Sequence, residues 1–227
     1  MARAARGRRQ SRPRVEAAPS RPARDRIVEA FLELAAERRF AEIGLADIAA
    51  RAGVTLAALR ETYDGKLAIV ADFTRRIDLA VLEGETSADE GPRDRLFEVL
   101  MRRFDALKPY RPVLRHLAAA ARCDLGLARA LHRISAGSQK WMLVAAGIHR
   151  GGPVGRLLIE GTLLAYLDTL RVFLDDDGAD LGRTMATLDR ALRRGERGLQ
   201  LIDDVCAFLP RFRRPGRRAD EGAEATN

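Results

Sequence analysis

The segment from residue 45 to residue 63 constrains the fold more than any other part of this sequence. Apolar residues repeat at helical spacing from Leu45 to Ala52, Gly53 ends that repeat, and a second helical pattern runs from Leu56 to Tyr63. Thr55 stands directly before the second pattern, where its hydroxyl is placed to accept a hydrogen bond from an exposed backbone amide. Two short helices joined by a tight turn that contains glycine are the geometry of a helix-turn-helix.

The rest of the chain also repeats at helical spacing, so the sequence predicts an all-α fold of about nine helices without a strand. Aromatic residues make up 5% of the chain and β-branched runs are scarce, which favours helix over sheet. The helices are expected near residues 22–43, 45–52, 56–63, 66–82, 93–107, 112–122, 124–146, 154–174 and 180–209.

Composition divides the chain into four predicted parts. Residues 1–21 are arginine-rich, contain two prolines and Glu16 as their one acidic residue, and are expected to form a disordered arm. Residues 22–68 are predicted to be a helix-turn-helix DNA-binding domain, and residues 69–210 a helical ligand-binding and dimerisation domain. Residues 211–227 are expected to be a disordered basic tail. The formal net charge of +8 suits a polyanionic partner. For the arm itself, a nucleic-acid contact and a merely solvated tail both remain open.

Several classes of function find no support in the sequence. Two cysteines and three scattered histidines, His116, His132 and His149, predict no disulfide framework and no metal site. No phosphate-binding glycine loop, nucleophile elbow or catalytic carboxylate pair is present, so we expect no enzyme and no cofactor. The acidic run 175–177 is expected to be a solvated helix end. No apolar run is long enough to span a bilayer, and a reducing cytoplasm fits the cysteine content.

The helix-turn-helix segment resembles that of the TetR family of transcriptional regulators. The likeness rests on the run from Asp47 to Thr55 and on Leu59, Tyr63, Gly65 and Lys66, and it covers roughly residues 24–75. It implies that Thr55 and Lys66 contact DNA phosphates and that Leu59 and Tyr63 hold the recognition helix. It also implies a dimer formed by the last two helices. A helical corner within an ordinary core is the alternative interpretation of the same segment.

The second short helix departs from the family pattern. Where these regulators usually present Lys, Thr, Tyr and His to DNA, this chain has Leu56, Ala57, Ala58, Arg60, Glu61 and Thr62. Such an apolar helix argues against extensive direct reading of bases, and the arginine-rich arm is then expected to supply affinity through the DNA backbone or minor groove. The residues predicted to bind DNA are Thr55, Leu56, Arg60, Glu61, Thr62, Tyr63 and Lys66.

These observations predict a sequence-specific DNA-binding repressor that responds to a small apolar ligand. It is expected to be a homodimer through helices near 154–174 and 180–209, and to bind a palindromic operator in double-stranded DNA. The candidate ligand-pocket residues are Phe97, Met101, Phe104, Trp141 and Tyr166, although each of them also fits a plain hydrophobic core.

A second resemblance points to a different function on the same fold. Part of the chain is similar to the lipid-binding accessory proteins of ubiquinone biosynthesis. The likeness rests on the run 93–107, Tyr110, Arg111, the acidic run 175–177, Thr184, Leu188, Asp189 and Arg190. This likeness implies that helix 154–174 lines an isoprenoid pocket and that the protein has no specific DNA binding. Both hypotheses remain open from the sequence.

Overall fold

The computed structural model describes residues 22–87 and 89–208, with residues 199–208 as backbone. Within these residues there are nine α-helices and no strand, so the predicted all-α fold is confirmed. The helices are α1 (Ala23–Glu37), α2 (Leu45–Ala52), α3 (Leu56–Thr62), α4 (Lys66–Leu82), α5 (Pro92–Leu107), α6 (Arg111–Cys123), α7 (Leu125–Ala145), α8 (Gly152–Leu174) and α9 (Gly182–Phe208).

Two short 3₁₀-helices, Phe40–Glu42 and Lys108–Tyr110, lie outside the predicted set. The sequence instead suggested one unit up to Gly44, but α1 ends at Glu37 and a separate turn follows it. Phe40 and Ile43 are both buried, so this turn is held by its apolar side chains. The predicted arm 1–21 and tail 211–227 lie outside the described residues.

Contacts divide the described chain into two units. The first unit contains residues 22–76 and 110–131, and the second contains residues 77–109 and 132–208. The sequence predicted one domain over residues 22–68 and the next over residues 69–210. Contacts group residues 110–131 with the first unit, because α6 packs against α1 and buries Val113 and Leu117.

The first unit is built around α1. Its inner face buries Ile27, Phe31 and Leu34, and α2, α3 and α6 all contact it. His116 Nδ1 on α6 lies 2.8 Å from the carbonyl oxygen of Ala35, which ties the two helices by a polar contact as well. The short helices α2 and α3 therefore rest on a packed support rather than on each other alone.

The second unit combines α5, α8, α9 and parts of α4 and α7, and an aromatic cluster lies in its core. Phe104 of α5 stacks on Tyr166 with ring centroids 5.3 Å apart and touches Phe173 at 5.0 Å. Both partners belong to α8, which also packs along α9. Ring pairs of this kind add to the free energy of burial.

No helix in the described part of the chain is both long enough and apolar enough to cross a membrane.

The acidic run at the end of α8 is only partly solvated, so that expectation was wrong for one of its members. Asp176 is buried and accepts hydrogen bonds from Thr184 N at 2.9 Å and Thr184 Oγ1 at 2.7 Å. Burial acts to raise the pKa of the Asp176 carboxyl, but these bonds outweigh it and the pKa lies below its usual value. Asp176 thus caps the first turn of α9 from outside that helix.

Candidate nucleic-acid interface

The turn between α2 and α3 has the geometry that its glycine predicts. Gly53 adopts φ 61° and ψ 39°, a left-handed conformation that glycine enters without steric cost. Gly53 N donates to Ala50 O at 3.2 Å, and Val54 N donates to Ala49 O at 3.0 Å. These bonds close the end of α2 and reverse the chain within a few residues.

Both short helices are capped by side chains. Asp47 Oδ2 accepts from the backbone nitrogen of Gly44 at 2.9 Å, and Thr55 Oγ1 accepts from the backbone nitrogen of Ala58 at 3.1 Å. Arg26 of α1 donates to the carbonyl oxygens of Ala52 at 3.2 Å and Gly53 at 3.3 Å, where its charge also complements the end of α2. Arg26 is a supporting residue that the sequence did not single out.

The helix α3 buries one side and exposes the other. Leu59 is buried, whereas Leu56 is 56% exposed and the Arg60 side chain 71% exposed. Arg60 forms an ion pair with Asp64, which is itself exposed, and such a pair contributes little stability. Its guanidinium can therefore change partner at small cost.

The three other predicted contacts around the end of α3 use their polar groups internally. Thr62 Oγ1 donates to Ala58 O at 2.7 Å, and the hydroxyl of Tyr63 donates to Asp72 Oδ2 at 2.7 Å. Lys66 Nζ donates to Phe40 O and Ile43 O, both at 2.8 Å. Each of these side chains thus fixes the position of the helix-turn-helix.

Lys66 and Thr55 nevertheless keep hydrogen-bond donors. An ammonium group has three N–H donors and Lys66 uses two of them on carbonyls. The Thr55 hydroxyl accepts from the α3 backbone and so keeps its own proton for another acceptor. Burial lowers the pKa of the Lys66 ammonium. The predicted phosphate contacts of both residues stay predictions that this geometry permits.

A buried carboxylate on α4, which the sequence analysis missed, joins three elements of the first unit. Asp72 accepts from two guanidinium nitrogens of Arg24 of α1, Nε at 3.0 Å and Nη2 at 2.7 Å, and from Tyr63 at the end of α3. Arg75 and Arg76, one turn further along α4, donate to the same carboxylate at 3.0 and 3.3 Å. We call these five residues the Asp72 cluster.

The electrostatics of the Asp72 cluster follow from its partners. Burial acts to raise the pKa of the Asp72 carboxyl, but hydrogen bonds from Arg24, Tyr63 and Arg75 outweigh it and hold the pKa well below the usual range. Burial, together with the hydrogen bond to Asp72, raises the pKa of Tyr63 to about 12. The cluster is therefore an anion held by three cations and one neutral phenol at neutral pH. Its signal in the sequence is an aspartate within the apolar stripe of α4.

The predicted ligand-pocket residues do not share one environment. Phe104 and Tyr166 lie together in the buried aromatic cluster of the second unit, Phe97 and Met101 are half-buried, and Trp141 is 55% exposed. None of the five lines the cleft of about 340 Å³ between the end of α7 and the start of α8. That cleft has apolar walls with cationic side chains at its edge, and its lining includes Lys140, Leu143, Ile148, His149, Arg150 and Leu158.

A second buried polar group lies in the second unit. Asp78 of α4 pairs with the buried Arg103 of α5 and accepts from Ser138 Oγ at 2.6 Å. The Arg103 guanidinium also lies 5.6 Å from the Tyr166 ring centre. Gln139 is fully buried, and neither its amide nitrogen nor its amide oxygen has a hydrogen-bond partner within the described residues.

The histidines and the cysteine do not form a cluster. His116 contacts a carbonyl in the first unit, His132 lies 3.2 Å from Glu160 in the second, and His149 is exposed. Cys123 is exposed and forms no disulfide with any described side chain. Among the described residues no group of three or more potential metal ligands was found.

Comparison with known proteins finds similarity in structure rather than in sequence. No protein-family profile matches the chain, and no curated protein matches it in sequence. A TetR transcriptional regulator from Nitrosomonas europaea ATCC 19718 is 25% identical, with a TM-score of 0.61 over 76% of this chain and 97% of that one. A TetR transcriptional regulator from Rhodococcus sp. RHA1 is 22% identical, with a TM-score of 0.56 over 75% and 94%. A TetR-family regulator from Streptomyces coelicolor is 18% identical, with a TM-score of 0.50 over 82% and 92%.

Proposed function

We propose that this chain, which has the fold of the TetR-family transcriptional regulators, is itself a sequence-specific DNA-binding regulator. The resemblance expected from the helix-turn-helix segment is confirmed, since the solved structures that the chain resembles are regulators of this family. DNA binding, the regulatory direction and the ligand are parts of the proposal, and each needs its own support.

The observation that carries the proposal is the construction of the α2–α3 segment. Its turn glycine, its two side-chain caps and the Arg26 and Tyr63 anchors all serve to present the outer face of α3 in a fixed position. A seven-residue helix has little stability by itself, so this degree of support indicates a surface whose exact placement matters. A helix presented in this way fits the major groove of DNA.

The proposed DNA contacts are the residues expected from the sequence. The surroundings of each side chain indicate whether it contacts bases, contacts phosphates or positions the helix. Leu56, Arg60 and Glu61 face outward for base edges, and Thr55 and Lys66 keep donors for phosphates. Thr62 and Tyr63 are better described as positioning residues, because their hydroxyl protons are used on Ala58 O and Asp72.

The proposed homodimer rests on an exposed apolar stripe of α8. Leu157 and Leu164 are 48% and 67% exposed and lie two turns apart on one face, with the exposed Gly161 between them. Two such stripes related by a two-fold axis would bury each other and set two α3 helices for a palindromic operator. Leu164→Glu is expected to convert a dimer to a monomer in light scattering, whereas Leu79→Glu, at an exposed leucine of α4, is expected to leave the dimer intact.

The proposed ligand response belongs to the second unit. Gln139 is a buried amide that finds no hydrogen-bond partner in the described part of the chain, and it shares this unit with the buried Phe104 and Tyr166 rings. A polar group left in this way is costly unless a bound molecule satisfies it. The proposed effector is therefore a small, largely apolar molecule with one hydrogen-bonding group. We propose repression as the regulatory outcome, with ligand and operator binding coupled reciprocally.

Selection from genomic DNA tests the proposal. The full chain and a chain that begins at residue 22 are each incubated with sheared genomic DNA at near-physiological salt, and the retained fragments are sequenced. Recovery of a few palindromic sites by both is expected. Recovery that is diffuse, and that vanishes without residues 1–21, would instead mean that α3 reads no sequence.

The accessory-protein hypothesis makes the opposite prediction on the same samples. A lipid-binding protein of ubiquinone biosynthesis should retain an isoprenoid lipid through mild purification and show little DNA affinity without residues 1–21. Native mass spectrometry that finds no bound lipid, together with palindromic sites, would decide for the regulator.

A further inference from the structure

The outer face of α3 carries four side chains. With 3.6 residues per turn, Leu56, Ala57, Arg60 and Glu61 share one face of the helix and Leu59 lies opposite. Burial agrees with this division, because those four residues are exposed and Leu59 is buried. Any partner that docks on α3 therefore meets two apolar and two charged side chains.

Few side chains on α3 can exchange hydrogen bonds with such a partner. Thr62 uses its hydroxyl proton on Ala58 O, and the Tyr63 hydroxyl is buried against Asp72. Over residues 22–87 and 89–198, the one side-chain partner of Arg60 is Asp64, in an exposed ion pair. Glu61 has no hydrogen bond or ion pair within the described residues. The helix thus offers one cationic donor and one anionic acceptor.

Each of these side-chain types has its own partner among the base edges of the major groove. Arginine donates to guanine O6 and N7, a glutamate accepts from the cytosine amino group, and apolar side chains contact the thymine methyl group. The side chains of Leu56 and Ala57 carry no hydrogen-bonding group for the edge of a guanine, a cytosine or an adenine. Both can pack against a methyl group and remove it from water. The thymine methyl is the feature of a base edge that this apolar half of the face is able to read.

We infer that α3 reads its half-site through thymine methyl groups packed against Leu56 and Ala57, with Arg60 selecting a guanine and Glu61 a cytosine beside them. This inference rests on the proposed function, since it names the operator chemistry of that same surface. It also explains how a helix poor in hydrogen-bonding side chains retains sequence specificity. Half-sites are therefore expected to carry adjacent thymines flanked by one G·C pair.

Replacing thymine by deoxyuridine tests the inference, because that change removes only the methyl group. The operator recovered by selection is resynthesised with each thymine of one half-site replaced in turn, and the full chain is titrated against each duplex. At the contacted positions we expect the dissociation constant to rise about fourfold, which corresponds to about 0.8 kcal/mol for one methylene-sized group removed from burial. At the other thymines no change is expected.

Leu56→Ala supplies the matched variant. It shortens an exposed side chain, so the fold is retained, and the deoxyuridine effect at one thymine should fall below about twofold because little methyl burial remains. Leu45→Ala is the control, since Leu45 is a 38% exposed leucine at the start of α2, outside α3. The Leu45→Ala variant should show the full rise in the dissociation constant when thymine is replaced by deoxyuridine. Glu61→Gln should move the preference at one position from cytosine to adenine.

The outcomes separate the two levels of the proposal. Operator binding that is unchanged by deoxyuridine at every thymine would overturn the methyl reading while leaving a sequence-specific regulator in place. A deoxyuridine effect that persists unchanged in Leu56→Ala would overturn the role of Leu56. Selection that enriches no site would overturn the proposed function and this inference with it.

Discussion

Asp72 and Asp78 lie on the same helix, α4, and the chain surrounds them in different ways. Asp72, in the first unit, is a buried carboxylate whose arginine partners extend into solvent, with Arg24 and Arg75 more than half exposed. Asp78, in the second unit, pairs with an arginine that is buried as well. One cluster is therefore open to water and the other is closed.

The buried carboxylate has a different role in each unit. In the open cluster the arginines can be hydrated or can pair with another anion. Asp72 contacts Arg24 of α1 and Tyr63, and it thereby fixes the positions of both. In the closed pair both charges are nearly shielded from water, so each depends chiefly on the other, with added support from Ser138 and the Tyr166 ring. The open design suits the unit that carries the candidate interface, and the closed one suits a packed core.

The closed pair should give the largest effect on stability. Asp78→Ala leaves the Arg103 charge buried without its partner, and we expect the free energy of unfolding to fall by about 3–5 kcal/mol. Urea denaturation followed by the fluorescence of Trp141, the one tryptophan of the chain and a residue of the second unit, measures this directly. Asp78→Asn, which keeps an acceptor for Ser138, should lose less. Equal losses for both variants would show that the lost charge accounts for the whole effect and that the acceptor for Ser138 adds nothing.

The open cluster should give a smaller loss. Asp72→Ala removes an acceptor of several charged hydrogen bonds, but the arginines regain water, so a loss of about 2 kcal/mol is expected. Circular dichroism reports helix loss throughout the chain, and a shift seen there without a matching shift in Trp141 fluorescence would show that the first unit unfolds separately. If Asp72→Ala costs as much as Asp78→Ala, the distinction between open and closed clusters fails.

The elements themselves could be predicted from the sequence because their signals are local. Gly53 and Thr55 marked the turn and the cap, and apolar spacing marked the helices to within a few residues of their ends, except for the end of α1 at Glu37. The Asp72 cluster could not be predicted, since Arg24 and Tyr63 reach it from 48 and 9 residues away. The same reason explains Asp176, whose partner lies across a turn, and the grouping of α6 with α1. The exposure of Trp141 was missed because apolar spacing does not show which faces remain uncovered.

The core of the second unit also contains the buried amide of Gln139, which should lower the free energy of unfolding. Gln139→Leu removes two buried polar groups that have no partner among the residues the structure describes, and we expect the unliganded chain to become about 1 kcal/mol more stable. The measurement is the same urea titration with Trp141 as the probe. Ser138→Ala is the control, because Ser138 donates to Asp78 and its removal should destabilise the chain. A loss of stability in Gln139→Leu would mean that the amide is satisfied, and the ligand proposal would lose its support.

The smallest effect belongs to the phenol of the open cluster, and it shrinks as pH rises above about 10. Tyr63→Phe removes one hydrogen bond to Asp72, so at neutral pH a loss of about 1 kcal/mol or less is expected. The folded pKa of Tyr63 is raised to about 12, above the unfolded value of about 10. The neutral phenol therefore contributes its full stabilisation below pH 10, and that contribution is lost as pH rises from about 10 to 12. Over this window the difference in stability between wild type and Tyr63→Phe should shrink, with phenolate absorbance showing one late-titrating tyrosine in the wild type alone. A constant difference would mean that Asp72 and burial do not hold the proton, and the description of the cluster as one anion among three cations and a neutral phenol would fail at alkaline pH.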